Sequence, residues 1–246
     1  MSILGRTVLN PAGGIRYHLR AWRHSKELWA PFRHEIGQWL ETTWAPRCDT
    51  LILFGPSGGY CMNWHWLRRF GRVIAVEPDP VARWIFSRQM RKESVYSDLQ
   101  WVSKNLLMGG ALGLQSLLSK EPKAAILFCN LIGQLPLVLS EVENQRLRKV
   151  LPELLKGRTW ASFHDRLSGP VTPKTGPDPS FSRRPSDEEL LERFYRNSKE
   201  ATTVSGTLEL LDHATDEIFP EELARRYFDW PLTPDFHHLI EGVCSP

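Results

Sequence analysis

Short, wholly apolar runs separated by amphipathic stretches dominate the centre of the chain. Leu51 to Phe54 (LILF), Val73 to Val76 (VIAV) and Ala124 to Cys129 (AAILFC) hold no polar side chain other than the terminal thiol. Runs of this kind predict parallel strands buried on both faces. Leu99 to Val102 is a weaker third strand of the series. Thr159 to Phe163 (TWASF) is the fifth, closing at His164-Asp165. Between them, a segment reaching Phe70, Pro80 to Arg91 and the charged stretch Ser140 to Leu155 carry helical spacing. Strand and helix signals therefore alternate, which predicts an α/β fold with a doubly wound, mostly parallel sheet.

The flanks read differently. Ser25 is placed to cap a helix on which Leu28, Phe32, Ile36, Leu40 and Trp44 recur every four residues, with Pro46 and Asp49 ending it. Residues 1–49 thus form an N-terminal helical extension, and 50–246 form the α/β domain. Ser168 to Pro185 holds five prolines and two glycines. It cannot be regular, and reads as a long surface loop. Ser186 and Glu189 make a capping box that opens a helix to about Asn197. Gly206 to Leu211 and His237 to Val243 are then expected as an antiparallel C-terminal pair, giving seven strands.

Composition narrows the class. The chain has 246 residues, 41% of them hydrophobic, enough for a real core. No stretch approaches the roughly 18 apolar residues of a membrane helix. The first residues, MSILGRTVLNPAGG, lack the basic-then-apolar shape of a secretory leader, so a cytoplasmic location is expected. Cys48, Cys61, Cys129 and Cys244 form no CxxC pair, which argues against a zinc ribbon or disulfide framework. A net charge of +3 is too mild to demand a nucleic-acid partner. Arg16 to Lys26 does interleave Arg and His with Tyr17 and Trp22. That pattern offers charge and stacking to a nucleic acid. A solvated helix face lying over a core is its commoner origin, so this partner is not favoured.

The most informative stretch is LILFGPSGGY followed by VIAVEPDP. A buried strand runs into a turn containing Gly55, Gly58 and Gly59, where backbone can approach a ligand closely. Glu77 lies 22 residues after Gly55, at the end of the second strand. An acid at that distance is where doubly wound folds accept hydrogen bonds from ribose hydroxyls. A dinucleotide fingerprint GxGxxG fails at Ser57 and Tyr60, which disfavours a nicotinamide-dependent oxidoreductase. No Gly-Lys-Ser/Thr phosphate loop occurs.

At these residues the chain resembles the class I S-adenosylmethionine-dependent methyltransferases, whose fold is Rossmann-like. That family's acidic-hydrophobic-Gly-x-Gly-x-Gly loop reads here Leu53-Phe54-Gly55-Pro56-Ser57-Gly58-Gly59, with departures at Leu53 and Ser57. The resemblance implies S-adenosylmethionine as cofactor, held by Gly55, Ser57, Gly58, Gly59, Tyr60 and Glu77. It further implies an adenine contact at Ser103 or Asn105, with Asp98 as rival, and a residue facing the methyl group at Asn130. Amino-methylases of nucleobases show Asn-Pro-Pro-aromatic there. Leu131 and Ile132 break that pattern, so base methylation gains no support. The implied activity is methyl transfer to a small-molecule acceptor. A non-catalytic adaptor that kept the fold is the alternative.

Methyl transfer needs a base only when the nucleophile is protonated. Three groupings fall at strand ends: His164-Asp165, Asp212-His213 and His237-His238. His164, with Asp165, is the first choice, being nearest the centre of the sheet. Without cysteines or close ligand spacing, no zinc site is expected from these histidines. Trp64 and Trp66 are placed to wall a pocket, and Cys129 reads as a buried strand residue. The Pro-rich loop leaves the fifth strand beside His164, so a substrate lid is expected of it.

Overall fold

Each apolar run divides its side chains between two cores. In the computed structural model, which describes residues 14–107, 111–174, 176, 178–195, 210–215 and 217–245, five parallel strands form the centre. They are β1 (Thr50–Phe54), β2 (Arg72–Val76), β3 (Asp98–Val102), β4 (Ala125–Cys129) and β5 (Trp160–Gly169). Leu51 lies opposite Val73 on one side and Ala125 on the other, so the runs stack in register. Leu51, Leu53, Val73 and Leu127 face one core, whereas Ile52, Phe54, Ile74 and Phe128 face the other. This is the two-residue alternation of a strand covered on both faces.

The sheet continues through β6 (Ser180–Phe181), β7 (Leu211–Asp212), β8 (Arg225–Thr233) and β9 (Phe236–Cys244). Its order is β3-β2-β1-β4-β5-β9-β8-β6, with β7 also paired to β5. Seven strands are long, as the sequence predicts, and two are two-residue additions. One assignment needs correction. The partner of β9 is β8, not Gly206 to Leu211, of which 206–209 lie outside the described residues. The RRYFDWPLT segment hides its period because Pro231 and the Arg pair interrupt the apolar pattern. Strand β5 also outruns its expected end, because β9 pairs with it as far as Gly169, across a bulge between Asp165 and Leu167.

Helices α1 (Ile15–His24) and α2 (Ala30–Trp39) cover one face of the sheet. They are not an appendage: Trp29, Phe32, Ile36, Trp39 and Leu40 are core residues of that face. An exact spacing of four drifts off a 3.6-residue helix. Here the last turn, Leu40–Trp44, widens to a π-helix, which brings Trp44 back onto the core. The opposite face is covered by α5 (Leu112–Lys120) and α7 (Glu141–Leu155), with a short α6 (Leu135–Val138) between them. Ser140 and Ser186 each head a complete capping box, on α7 and on α8 (Asp187–Phe194). Helices α3 (Trp64–Leu67) and α4 (Pro80–Lys92) follow β1 and β2.

The Pro-rich loop is anchored at the hairpin. Val171 is buried, Ser180 and Phe181 pair with Arg226 and Arg225, and Arg193 of α8 stacks 3.8 Å over the Phe181 ring. No helix among the described residues is long and apolar enough to cross a membrane.

Candidate functional site

The turn after β1 takes its shape from left-handed backbone. Gly55 has φ +67, and a Cβ there would stand 3.3 Å from Leu131 Cβ. Its amide donates to Val76 O, tying the turn to β2. Ser57 is also left-handed, at φ 48, and this aims its amide at the end of β2. There the Glu77 carboxylate accepts from Ser57 N at 3.1 Å and from Asp79 N at 3.0 Å. Burial pushes the Glu77 carboxyl up to about 7, although both amides favour its ionised form. Trp101 Nε1 donates to Glu77 O, so the strand end is held from β3 as well.

A cavity of about 160 Å³ opens over the carboxyl ends of β1, β2 and β4, where a doubly wound sheet binds its ligand. It runs from Glu77 and Ser57, past Asn105 and Leu107, to Cys129 and Asn130. Phe163 and Trp230 close it from the strands, and α1 contributes to its wall through Tyr17. The next residue, His18, is buried between Asp79 and Tyr60. Its Nε2–H donates to the Asp79 carboxylate at 2.9 Å, and Nδ1 lies 2.9 Å from the Tyr60 hydroxyl. Burial alone would raise the Asp79 carboxyl. The bonds from His18 and from the Val81 and Ala82 amides outweigh it and hold the group below its usual range. The basic-aromatic stretch therefore does more than present a solvated face.

Gly55, Ser57, Glu77, Asn105 and Asn130 line this cavity, whereas Gly58, Gly59 and Tyr60 stand behind it. A Cβ on Gly58 would come 2.8 Å from Ile85, and one on Gly59 2.5 Å from Trp64. Their lack of a side chain thus serves helix packing. Of the three adenine options, Asn105 is at the cavity. Asp98 sits exposed at the opposite end of β3, paired with Arg72. Trp64 packs on Phe86 and Trp66 is buried in the core, so neither walls the cavity. No described residue of the Pro-rich loop lines it either, whereas Tyr17 of α1 does.

His164 requires a correction. On β5 Phe163 faces the cavity, so His164 turns to the opposite face. There it is fully buried, 2.9 Å from Ser162 Oγ, with Phe219 beside its ring. Burial and then the Arg225 charge pull it down to about 3, leaving a neutral imidazole with no path to an acceptor. Behind it, Glu241 is paired with Arg225 at 2.8 Å and accepts from Tyr227 at 2.6 Å.

Asp165 returns to the cavity side, one layer back. Asn130 stands in front of it as a clasp between β4 and β5. Its Oδ1 accepts from Asp165 N at 2.9 Å and its Nδ2 donates to Asp165 Oδ2 at 3.2 Å. His238 on β9 donates from Nδ1 to Asp165 Oδ1 at 2.8 Å. At the cavity itself Tyr17, Cys61 and Cys129 are all raised, chiefly by burial, and stay protonated.

No family model and no curated protein sequence matches this chain. Solved structures do. The N-methyltransferase NodS from Bradyrhizobium japonicum WM9, in complex with S-adenosyl-l-homocysteine, aligns over 99% of this chain and 96% of its own, with a TM-score of 0.50 at 12% identity. Magnesium protoporphyrin IX methyltransferase from Synechocystis PCC 6803, with bound S-adenosylmethionine, aligns over the same shares with a TM-score of 0.46 at 11% identity. The fold of this chain is that of the class I S-adenosylmethionine-dependent methyltransferases.

Proposed function

We propose that the chain binds S-adenosylmethionine in this cavity and transfers its methyl group to a small-molecule acceptor. The observation that carries this reading is the junction of Gly55, Ser57 and Glu77. A fixed carboxylate there faces a turn whose left-handed backbone leaves room for a nucleoside. Glu77 retains acceptor positions beyond the two amides it already serves, enough for a pair of ribose hydroxyls. Leu106 and Leu107 offer an apolar slot for the base, with Asn105 at its edge. Cys129, Asn130 and Phe163 then border the reacting end.

When bound, the cofactor supplies a methyl group on a positively charged sulfur, an electrophile that needs no further activation. The chain's residues align the acceptor and exclude water around it. With Tyr17, Cys61 and Cys129 held protonated, that end offers no ready base. This favours an acceptor atom whose lone pair is already free, such as a neutral amine.

A non-catalytic binding role is the second reading, and Leu53 favours it. The family places an acid there for the methionine end of the cofactor, whereas Leu53 is wholly buried in apolar core. Calorimetric titration with S-adenosylmethionine, S-adenosylhomocysteine and NAD decides among these. Binding of the first two and not the third is expected, with methylated product on an amine panel. Binding without turnover on any acceptor favours the second reading, and preference for NAD overturns both.

A further inference from the structure

We propose that Asp165, His213 and His238 form a binding site for a divalent transition-metal ion. Three segments far apart in sequence bring them together: the middle of β5, the residue after β7, and β9. One potential ligand atom from each residue lies within 4.8 Å of the other two. Each comes from a different one of the His/Asp groupings at the strand ends. Spacing along the chain conceals this, because antiparallel pairing of β7 and β9 with β5 creates the cluster.

The local chemistry suits a cation. Asp165 and His238 alone would suffice to tie β5 to β9. The 2.8 Å between Asp165 Oδ1 and His238 Nδ1 would have to open only to about 3.4 Å, the separation of two tetrahedral ligands with metal bonds near 2.1 Å. His238 Nδ1, which faces the Asp165 carboxylate, is thus its ligand atom, and an ion would replace the proton the two now share. His213, half-buried, brings its ligand atom within 4.8 Å of both others as it stands.

The supporting contacts of a metal site are also present. Metal-binding imidazoles are oriented by a bond to the other ring nitrogen, and ligating carboxylates are held by outer donors. His213 Nδ1–H faces Gly133 O at 3.3 Å, which leaves Nε2, now 2.9 Å from Ser168 Oγ, to exchange that hydroxyl for the ion. Asn130 donates to Asp165 Oδ2, and Thr215 donates to the Asp165 carbonyl.

Two imidazoles with one carboxylate select zinc, manganese, cobalt or ferrous iron over magnesium or calcium, which prefer all-oxygen sets. Three protein ligands leave a coordination position open. Asn130 and Trp230 line the cavity and also touch this cluster, with the Trp230 ring 5.6 Å from that of His238. The ion would thus lie one side chain behind the proposed acceptor end.

The test uses the full chain, stripped with a chelator and free of any nucleoside, so its outcome is independent of the methyl-transfer reading. Cobalt(II) is titrated while visible d–d absorption is followed, and zinc(II) while heat is followed. One equivalent of each is expected to bind. His213→Gln, at a half-buried position, should keep its far-ultraviolet circular dichroism and weaken binding at least about tenfold; His238→Gln should match it. Absence of saturable binding by the wild-type chain overturns the proposal. So does cobalt absorption that survives unchanged in both variants, because the ion would then sit elsewhere.

Discussion

His18 on the first helix and Asp79 at the head of α4 meet at 2.9 Å beside the cavity, joining the N-terminal segment to the turn that follows β2. The same carboxylate caps α4 by accepting from Val81 N at 2.8 Å. One side chain therefore sets the start of a helix and the position of another.

Breaking this link should loosen α1 selectively. His18→Ala removes the bonds to both Asp79 and Tyr60, and hydrogen exchange should rise in the amides of 15–24 while those of β1 and β4 stay protected. Asp79→Ala loses the cap as well, and should cost about 1–3 kcal/mol in denaturant unfolding. Because the folded-state pKa of Asp79 is lowered, its stabilising contribution is present above the ordinary carboxylate pKa. It is lost as pH falls through the lower folded value. Uniform exchange in His18→Ala would contradict the link.

Glu77 gives the proposed cofactor site a pH signature. Its folded pKa near 7 lies above the ordinary value of 4.5, so ionisation of this group lowers stability progressively between those two values as pH rises. Ribose hydroxyls donate best to the ionised form. Affinity for S-adenosylhomocysteine should therefore increase from about pH 6 to pH 8, with a proton released on binding. Glu77→Gln should weaken binding at least about tenfold and flatten this portion of the pH profile. An unaltered profile in the variant would remove Glu77 from the site.

Gly55→Ala tests the turn. A side chain at φ +67 costs about 1–2 kcal/mol, and the new Cβ meets Leu131. A lowered urea midpoint and weakened S-adenosylhomocysteine binding are both expected, since the strained residue also borders the cavity.

Asn130 offers a sharper comparison because its own φ is 48. Asn130→Ala and Asn130→Gly both delete the clasp on Asp165, at a cost of about 1–3 kcal/mol. Only alanine retains the strain of a left-handed backbone, so the glycine variant should be the more stable by roughly 0.5–1 kcal/mol. Equal unfolding midpoints would show that the backbone there relaxes.

The parallel core was legible because β1, β2 and β4 are buried on both faces and announce themselves as unbroken apolar runs. The positions of Glu77 and Gly55 beside the cavity were legible because they follow from local strand-to-turn geometry. What escaped was set by pairing across the sheet. His164 and Asp165 are adjacent in sequence yet occupy opposite faces, a separation that depends on how β5 sits in the sheet. Tyr17 and His18 sit in a stretch whose charges suggested solvent, and only the docking of α1 against Asp79 and Tyr60 turns them inward. Strand β8 was overlooked because Pro231 and the adjacent polar residues obscure its alternation.

The way α1 and α2 cover the sheet limits where this protein can be cut. Trp29, Phe32, Ile36, Trp39, Leu40 and Trp44 are buried against that face. Burying side chains of this size contributes roughly 1.5–3 kcal/mol each, so their sum rivals the whole net stability of a typical domain, about 5–15 kcal/mol. A fragment trimmed to begin at Thr50 would keep every strand, but it would expose a broad greasy surface and precipitate. Fragments for crystallography or display should retain both leading helices.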